Sequence, residues 1–190
     1  MIVVDVETTG LNPDRHAIVS IGAVELANPQ NIFYAECRAW EGAEVDENAL
    51  RVNGFSAEQV RDASKKTLDQ AMREFLSWTD SCGNTMLAGH NTSFDRDFLS
   101  ASAKRCGLVW PFAHRTIDLH TVCYTKLLQD GQVMDGLSLN KILALVGLPR
   151  EPDPHNALTG AKMEAEALSR LIFKRPLLKE FEGFAVPAHL

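Results

Sequence analysis

The stretch Val4-Asp5-Val6-Glu7-Thr8-Thr9-Gly10 decides how this chain is read. Residues 1–6 are apolar and β-branched, and residues 8–14 are rich in turn formers, so a strand runs into a loop. Alternate side chains on a strand share a face. Asp5 and Glu7 therefore point one way, and Val4 and Val6 the other. Two adjacent carboxylates repel each other and are costly unless a cation joins them. At a strand end they offer hard oxygen ligands for a divalent ion. The competing reading is an exposed strand end with two solvated acids.

Working outward, residues 16–26 and 31–39 are β-rich and separated by Asn28-Pro29, which predicts an antiparallel meander of three strands. Thr67-Leu68-Asp69-Gln70 predicts a capping box opening a helix to about Trp78. A short strand is expected over residues 85–89 and a helix over 93–105, capped by Thr92 or Ser93. Residues 116–119 read as a strand edge passing into a helix through Leu128. Residues 138–146 read as a helix stopped by Gly147 and Pro149. The longest helical signal covers 155–173, broken by Lys174-Arg175-Pro176. Strands followed by alternating helices and strands imply an α/β fold with a mixed sheet flanked by helices. Residues 1–174 form the expected domain, and 175–190 a tail whose Phe181, Phe184 and Val186 are available to a protein partner or a second copy.

Two further segments carry chemistry. In His90-Asn91-Thr92-Ser93-Phe94-Asp95, a strand end meets a helix start, with Asp95 in the first turn where the helix dipole favours an anion. Asp97, two positions on, points elsewhere and reads as solvated. In His155-Asn156-Ala157-Leu158-Thr159-Gly160, a histidine follows a Pro-rich loop at a helix start. There it is available as a general base near neutral pH.

Together these segments resemble the DEDDh group of 3′–5′ exonucleases. That group includes the proofreading exonuclease of bacterial replicative polymerases, ribonuclease T and oligoribonuclease. The resemblance covers residues 1 to about 173 and implies a ribonuclease-H-like fold. It also implies a metal-dependent nuclease that releases nucleoside 5′-monophosphates from single-stranded DNA or RNA 3′ ends. By resemblance, Asp5, Glu7 and Asp95 hold two Mg²⁺ or Mn²⁺ ions and His155 serves as the base. Thr8, Thr9, Gly10, His90 and Asn91 line the terminal nucleotide, and Leu11 and Phe94 pack on its base.

The pattern breaks at one position. In the group an Asp stands five residues after the histidine, where this chain has Gly160. Residues 160 and 164 share a helix face about 6 Å apart along the axis. Glu164 leans back over Gly160, so it is the expected replacement ligand, whereas Glu166 points away. The bland alternative for Glu164 is a surface ion pair. A second reading of the whole chain is a catalytically weakened or inactive nucleic-acid-binding module on the same fold.

Charge and cysteines bound these readings. The chain has 190 residues and a net charge of −6. Residues 1–60 hold 10 acidic and 3 basic side chains, so the acidity is concentrated at one end. Bulk basicity is excluded as a means of gripping nucleic acid. Two divalent ions on four acidic ligands bring the loaded chain from −6 to about −2, and the remaining acidity around residues 36–47 is expected away from the substrate path. Cys37, Cys82, Cys106 and Cys123 show no metal or redox spacing, and four scattered thiols suit a reducing cytoplasm. No membrane span or secretory leader is read from the sequence.

Overall fold

The computed structural model describes residues 1–132 and 136–190. Five strands are present: β1 (Ile2–Thr8), β2 (Ile18–Glu25), β3 (Ile32–Glu36), β4 (Leu87–Gly89) and β5 (Ile117–Asp118). They form one sheet of order β3-β2-β1-β4-β5. The β3-β2-β1 half is antiparallel, while β4 runs parallel to β1 and β5 parallel to β4. The helices are α1 (Glu47–Asn53), α2 (Leu68–Thr79), α3 (Thr92–Arg105), α4 (Leu119–Gln129), α5 (Leu139–Leu145) and α6 (Ala157–Phe173).

The strand alternation expected from the sequence sorts the core into two layers. Ile2, Val4 and Val6 pack with α2 and α3 through Met72, Phe75, Phe98 and Leu99. Val3 and Val24 face α4, α5 and α6 through Leu119, Ile142 and Leu168. Asp5 and Glu7 share the face of Val3, so the α6 side of the sheet carries the carboxylates.

Two observations set where α6 lies. Asp5 pairs with Gly22 of β2, and residues directly opposite in an antiparallel pair share a face. A Cβ on Gly22 would lie 2.2 Å from the Ala157 backbone, so a glycine here admits the start of α6 onto the sheet beside Asp5. At the other end, Arg170 is fully buried and bonds Glu166 Oε1 at 2.7 Å. Arg170 also donates to the carbonyls of Val146, Phe181 and Phe184, while Glu166 accepts from the N–H groups of Leu177 and Leu178. Residues 175–190 are thereby strapped against α6. Phe181 and Leu190 are buried in the chain's own core, and Phe184 is half exposed.

Two local expectations need correction. Residues 47–53 form a helix that was not expected: Asp46 accepts from Asn48 N–H as its N-cap, and Gly54 ends it in the left-handed conformation. Just before it, Asp46 N–H donates to the Thr9 carbonyl and Thr9 Oγ1 donates to that of Glu44. Neither Thr92 nor Ser93 caps α3; the cap is Asn91, with φ of 58°. The Thr92 hydroxyl is engaged in donating to the carbonyls of Gly89 and Ile117, and its N–H donates to Asp118, which ties α3 to the ends of β4 and β5.

Candidate active site

The pairing of β1 with β4 ends at Val3 and Ala88, and β4 itself stops at Gly89 while β1 runs on to Thr8. Ligand sites in open α/β sheets form in such crevices at the carboxyl ends of strands. Asp95, in the first turn of α3, reaches into this one and accepts the Val6 N–H at 3.0 Å. Asp5 and Glu7 enter from β1, and Glu164 from α6. All but Asp95 line one cavity of about 360 Å³.

The lining also includes Thr8, Leu11, His90, Asn91, Phe94, His155 and Glu151. Thr9 and Gly10 stand behind it. Thr9 is fully buried, its N–H donating to Ala17 and its hydroxyl to Glu44, and Gly10 faces the His16 ring. His90 is held by a ring-nitrogen contact of 3.1 Å with the Leu137 carbonyl. Leu11 is 79% exposed, an apolar side chain offered to solvent at the rim. Asp97 is exposed and paired with Arg96, as its reading as a solvated residue requires.

His155 immediately precedes α6. Its N–H donates to the Val52 carbonyl, and the following Asn156 caps the helix by accepting from Leu158 and Thr159. The His155 ring is partly exposed, with Nδ1 3.7 Å from Glu151 Oε2 and Nε2 3.8 Å from Asp153 Oδ1.

Glu164 has no ion pair among the described residues. It is 4% exposed, and its Oε2 has no hydrogen-bond partner among the described residues. This excludes the surface ion-pair reading. Glu166 lies on the Arg170 side, away from the cavity. The residue that sequence reasoning missed is Glu151, buried at 8% exposure in the segment between α5 and α6. A loop position carries no periodicity, and only its place four residues before His155 hinted at it.

Among the described residues, no Lys or Arg lines the cavity. The carboxyl groups therefore raise one another's pKa. Burial, then Asp95, Glu7 and Glu151, push Asp5 well above the usual carboxylate range. Burial, then Asp5 and Asp95, do the same to Glu164. Burial raises Asp95 despite the bond from Val6, and it raises Glu7 to about 7 despite nearby His155. Divalent ions fit this donor set: oxygen ligands only, no competing cation, and one buried oxygen without a partner. Among the described residues, no group of three or more His, Cys, Asp or Glu side chains is already disposed to hold a metal ion.

These shifts set a pH dependence. Between the ordinary carboxylate value of 4.5 and about 7, folded Glu7 keeps a proton that the unfolded chain has released. In chelator, stability is therefore expected to fall as pH rises through that window, by about 2–4 kcal/mol for a group shifted this far. If divalent ions take the place of the protons, Mn²⁺ should raise the melting temperature more at pH 8 than at pH 5. Thermal unfolding across this range checks the sign, and a melting temperature that climbs with pH in chelator refutes it.

A mixed sheet of this order flanked by helices, with carboxylates gathered where β1 and β4 stop pairing, has the ribonuclease-H-like fold. Within that class, the chain belongs to the exonuclease family, whose profile matches residues 2–168. Ribonuclease T of Yersinia enterocolitica is 26% identical over 98% of the chain and 89% of its own length. The PolC-type DNA polymerase III of Thermotoga petrophila is 27% identical over 90% of the chain, which spans only 12% of that polymerase. Among solved structures, the nuclease domain of 3′hExo, a DEDDh family member bound to rAMP, superposes with a TM-score of 0.71 at 19% identity, covering 94% of each chain. E. coli exonuclease I with a dA16 oligonucleotide gives a TM-score of 0.73 at 16% identity, covering 92% of this chain and 40% of that one. No helix among the described residues is long and apolar enough to cross a membrane.

Proposed function

We propose that the chain is a divalent-metal-dependent 3′–5′ exonuclease that hydrolyses single-stranded DNA or RNA ends to nucleoside 5′-monophosphates. The observation that carries this reading is the convergence of Asp5, Glu7, Asp95 and Glu164 on one crevice without a basic partner. Those four residues would hold two Mg²⁺ or Mn²⁺ ions. When bound, such ions neutralise the scissile phosphate and the charge developing on the attacking and leaving oxygens. His155, at the open side of the cavity, takes the proton from the attacking water. Leu11 and Phe94 offer apolar surface to the terminal base, which accepts any base because every base has an apolar face. Thr8, His90 and Asn91 supply polar atoms along the same wall.

The cavity is small and the chain acidic, so the grip extends over few nucleotides and depends weakly on salt. The neighbours solved with an oligonucleotide and with rAMP support a single-stranded end and a monophosphate product. Four free thiols suit a reducing cytoplasm.

The test is incubation with 3′-labelled single-stranded DNA and RNA in Mg²⁺, Mn²⁺ or chelator. Release of mononucleotides in metal alone is the expected result. Binding without release would overturn it in favour of an inactive nucleic-acid-binding module.

A further inference from the structure

The space that a side chain at position 160 would take is already occupied. A Cβ built on Gly160 lies 2.1 Å from Asp5 Oδ2 and 3.2 Å from Glu151 Oε1. Two carboxylates thus meet where α6 has none of its own. Glu151 reaches this point from the segment between α5 and α6, where its N–H donates to Asn140 Oδ1 at 3.0 Å. It is buried, and among the described residues its carboxylate has no Lys or Arg partner; His155, at 3.7 Å, is its one basic neighbour. A buried carboxylate so placed is costly unless a cation joins it.

Glu164 adds an independent observation. Its Oε2 is deeply buried, without a partner, and part of the same cavity. Glu164 feels Asp5 and Asp95 most strongly among its charged neighbours, whereas Glu151 borders His155 and the vacant side of Gly160. The two glutamates are therefore not interchangeable: Glu164 sits with the carboxylates of β1 and α3, and Glu151 stands beside the histidine.

We propose that Glu151 is a metal ligand of this site, and that it supplies from a loop the carboxylate that α6 lacks at Gly160. Gly160 is the opening that admits it beside Asp5. The assignment rests on reading the crevice as a divalent-metal centre, but not on the crevice being a nuclease.

The test is a titration of the chelator-stripped protein with Mn²⁺, followed by the electron paramagnetic resonance signal of free Mn²⁺. Wild type is expected to take up two ions. Glu151→Gln should weaken one of them at least about tenfold, as loss of a ligand or its support does elsewhere. Glu151→Asp, which keeps a carboxylate on the loop, should retain more of that affinity than Glu151→Gln. Melting in chelator checks that both variants fold; should E151Q melt early, Glu151→Ala is titrated in its place.

Wild-type affinity for both ions in the Glu151 variant overturns the proposal, as does a wild type that takes up no ion. Uptake that depends on Glu151 without nucleotide release leaves this assignment standing and removes the nuclease reading. Nucleotide release with unaltered uptake in the Glu151 variant does the reverse.

Discussion

Asp95→Asn is expected to lower metal-dependent nucleotide release by about 10³-fold while leaving the fold intact. The two effects separate because Asp95 has two jobs on different atoms. Its Oδ1 accepts the Val6 N–H and so holds α3 against β1. An asparagine keeps that oxygen and that bond. What it loses is the negative charge, in a crevice where Asp5, Glu7 and Glu164 already repel one another. The variant should therefore melt no lower than wild type in chelator, and it should gain less from Mn²⁺. Asp97→Asn is the control, since Asp97 is exposed and paired with Arg96 outside the cavity. Release within tenfold of wild type by Asp95→Asn would remove Asp95 from the chemistry.

Arg170→Met should produce the largest loss of stability, about 3–5 kcal/mol. Arg170 and Glu166 are both 0% exposed, so removing the guanidinium leaves a carboxylate buried with only the N–H groups of Leu177 and Leu178 for company. The carbonyls of Val146, Phe181 and Phe184 lose donors at the same time. For a chain of this size the loss corresponds to a fall in melting temperature of about 6–20 °C. The double variant E166Q/R170M, which removes the stranded charge, should recover part of it. A loss below about 1 kcal/mol for Arg170→Met would mean that water reaches Glu166 once the arginine is gone.

Much of the site could be read in the sequence, because most of it stands on regular elements. Asp5 and Glu7 follow from strand alternation, and Glu164 from the one-turn spacing over Gly160. Asp95 could be placed in the first turn of its helix, but its bond to Val6 could not, since that depends on where β4 stops pairing with β1. Glu151 was hidden for the opposite reason. It lies on a loop, where neighbours in sequence say nothing about neighbours in space. Helix α1 was overlooked although its signals were present: Asp46 as a cap, and Gly54 where the helix stops. The acidic run masked them. Gly22 is legible only in hindsight, because an isolated glycine in a strand announces a close approach without saying of what.

The seating of α6 on β1 and β2 also governs when the site can exist. Asp5 lies on β1, whereas His155 immediately precedes α6 and Glu164 lies within it, and that helix is held in turn by residues 177–185. Contacts between such distant parts of a chain close late in folding. A chain that has formed only its strands carries Asp5 and Glu7 but not the groups that face them. The crevice is therefore complete only once α6 is seated on the sheet, and loosening that helix would dismantle the site without touching β1.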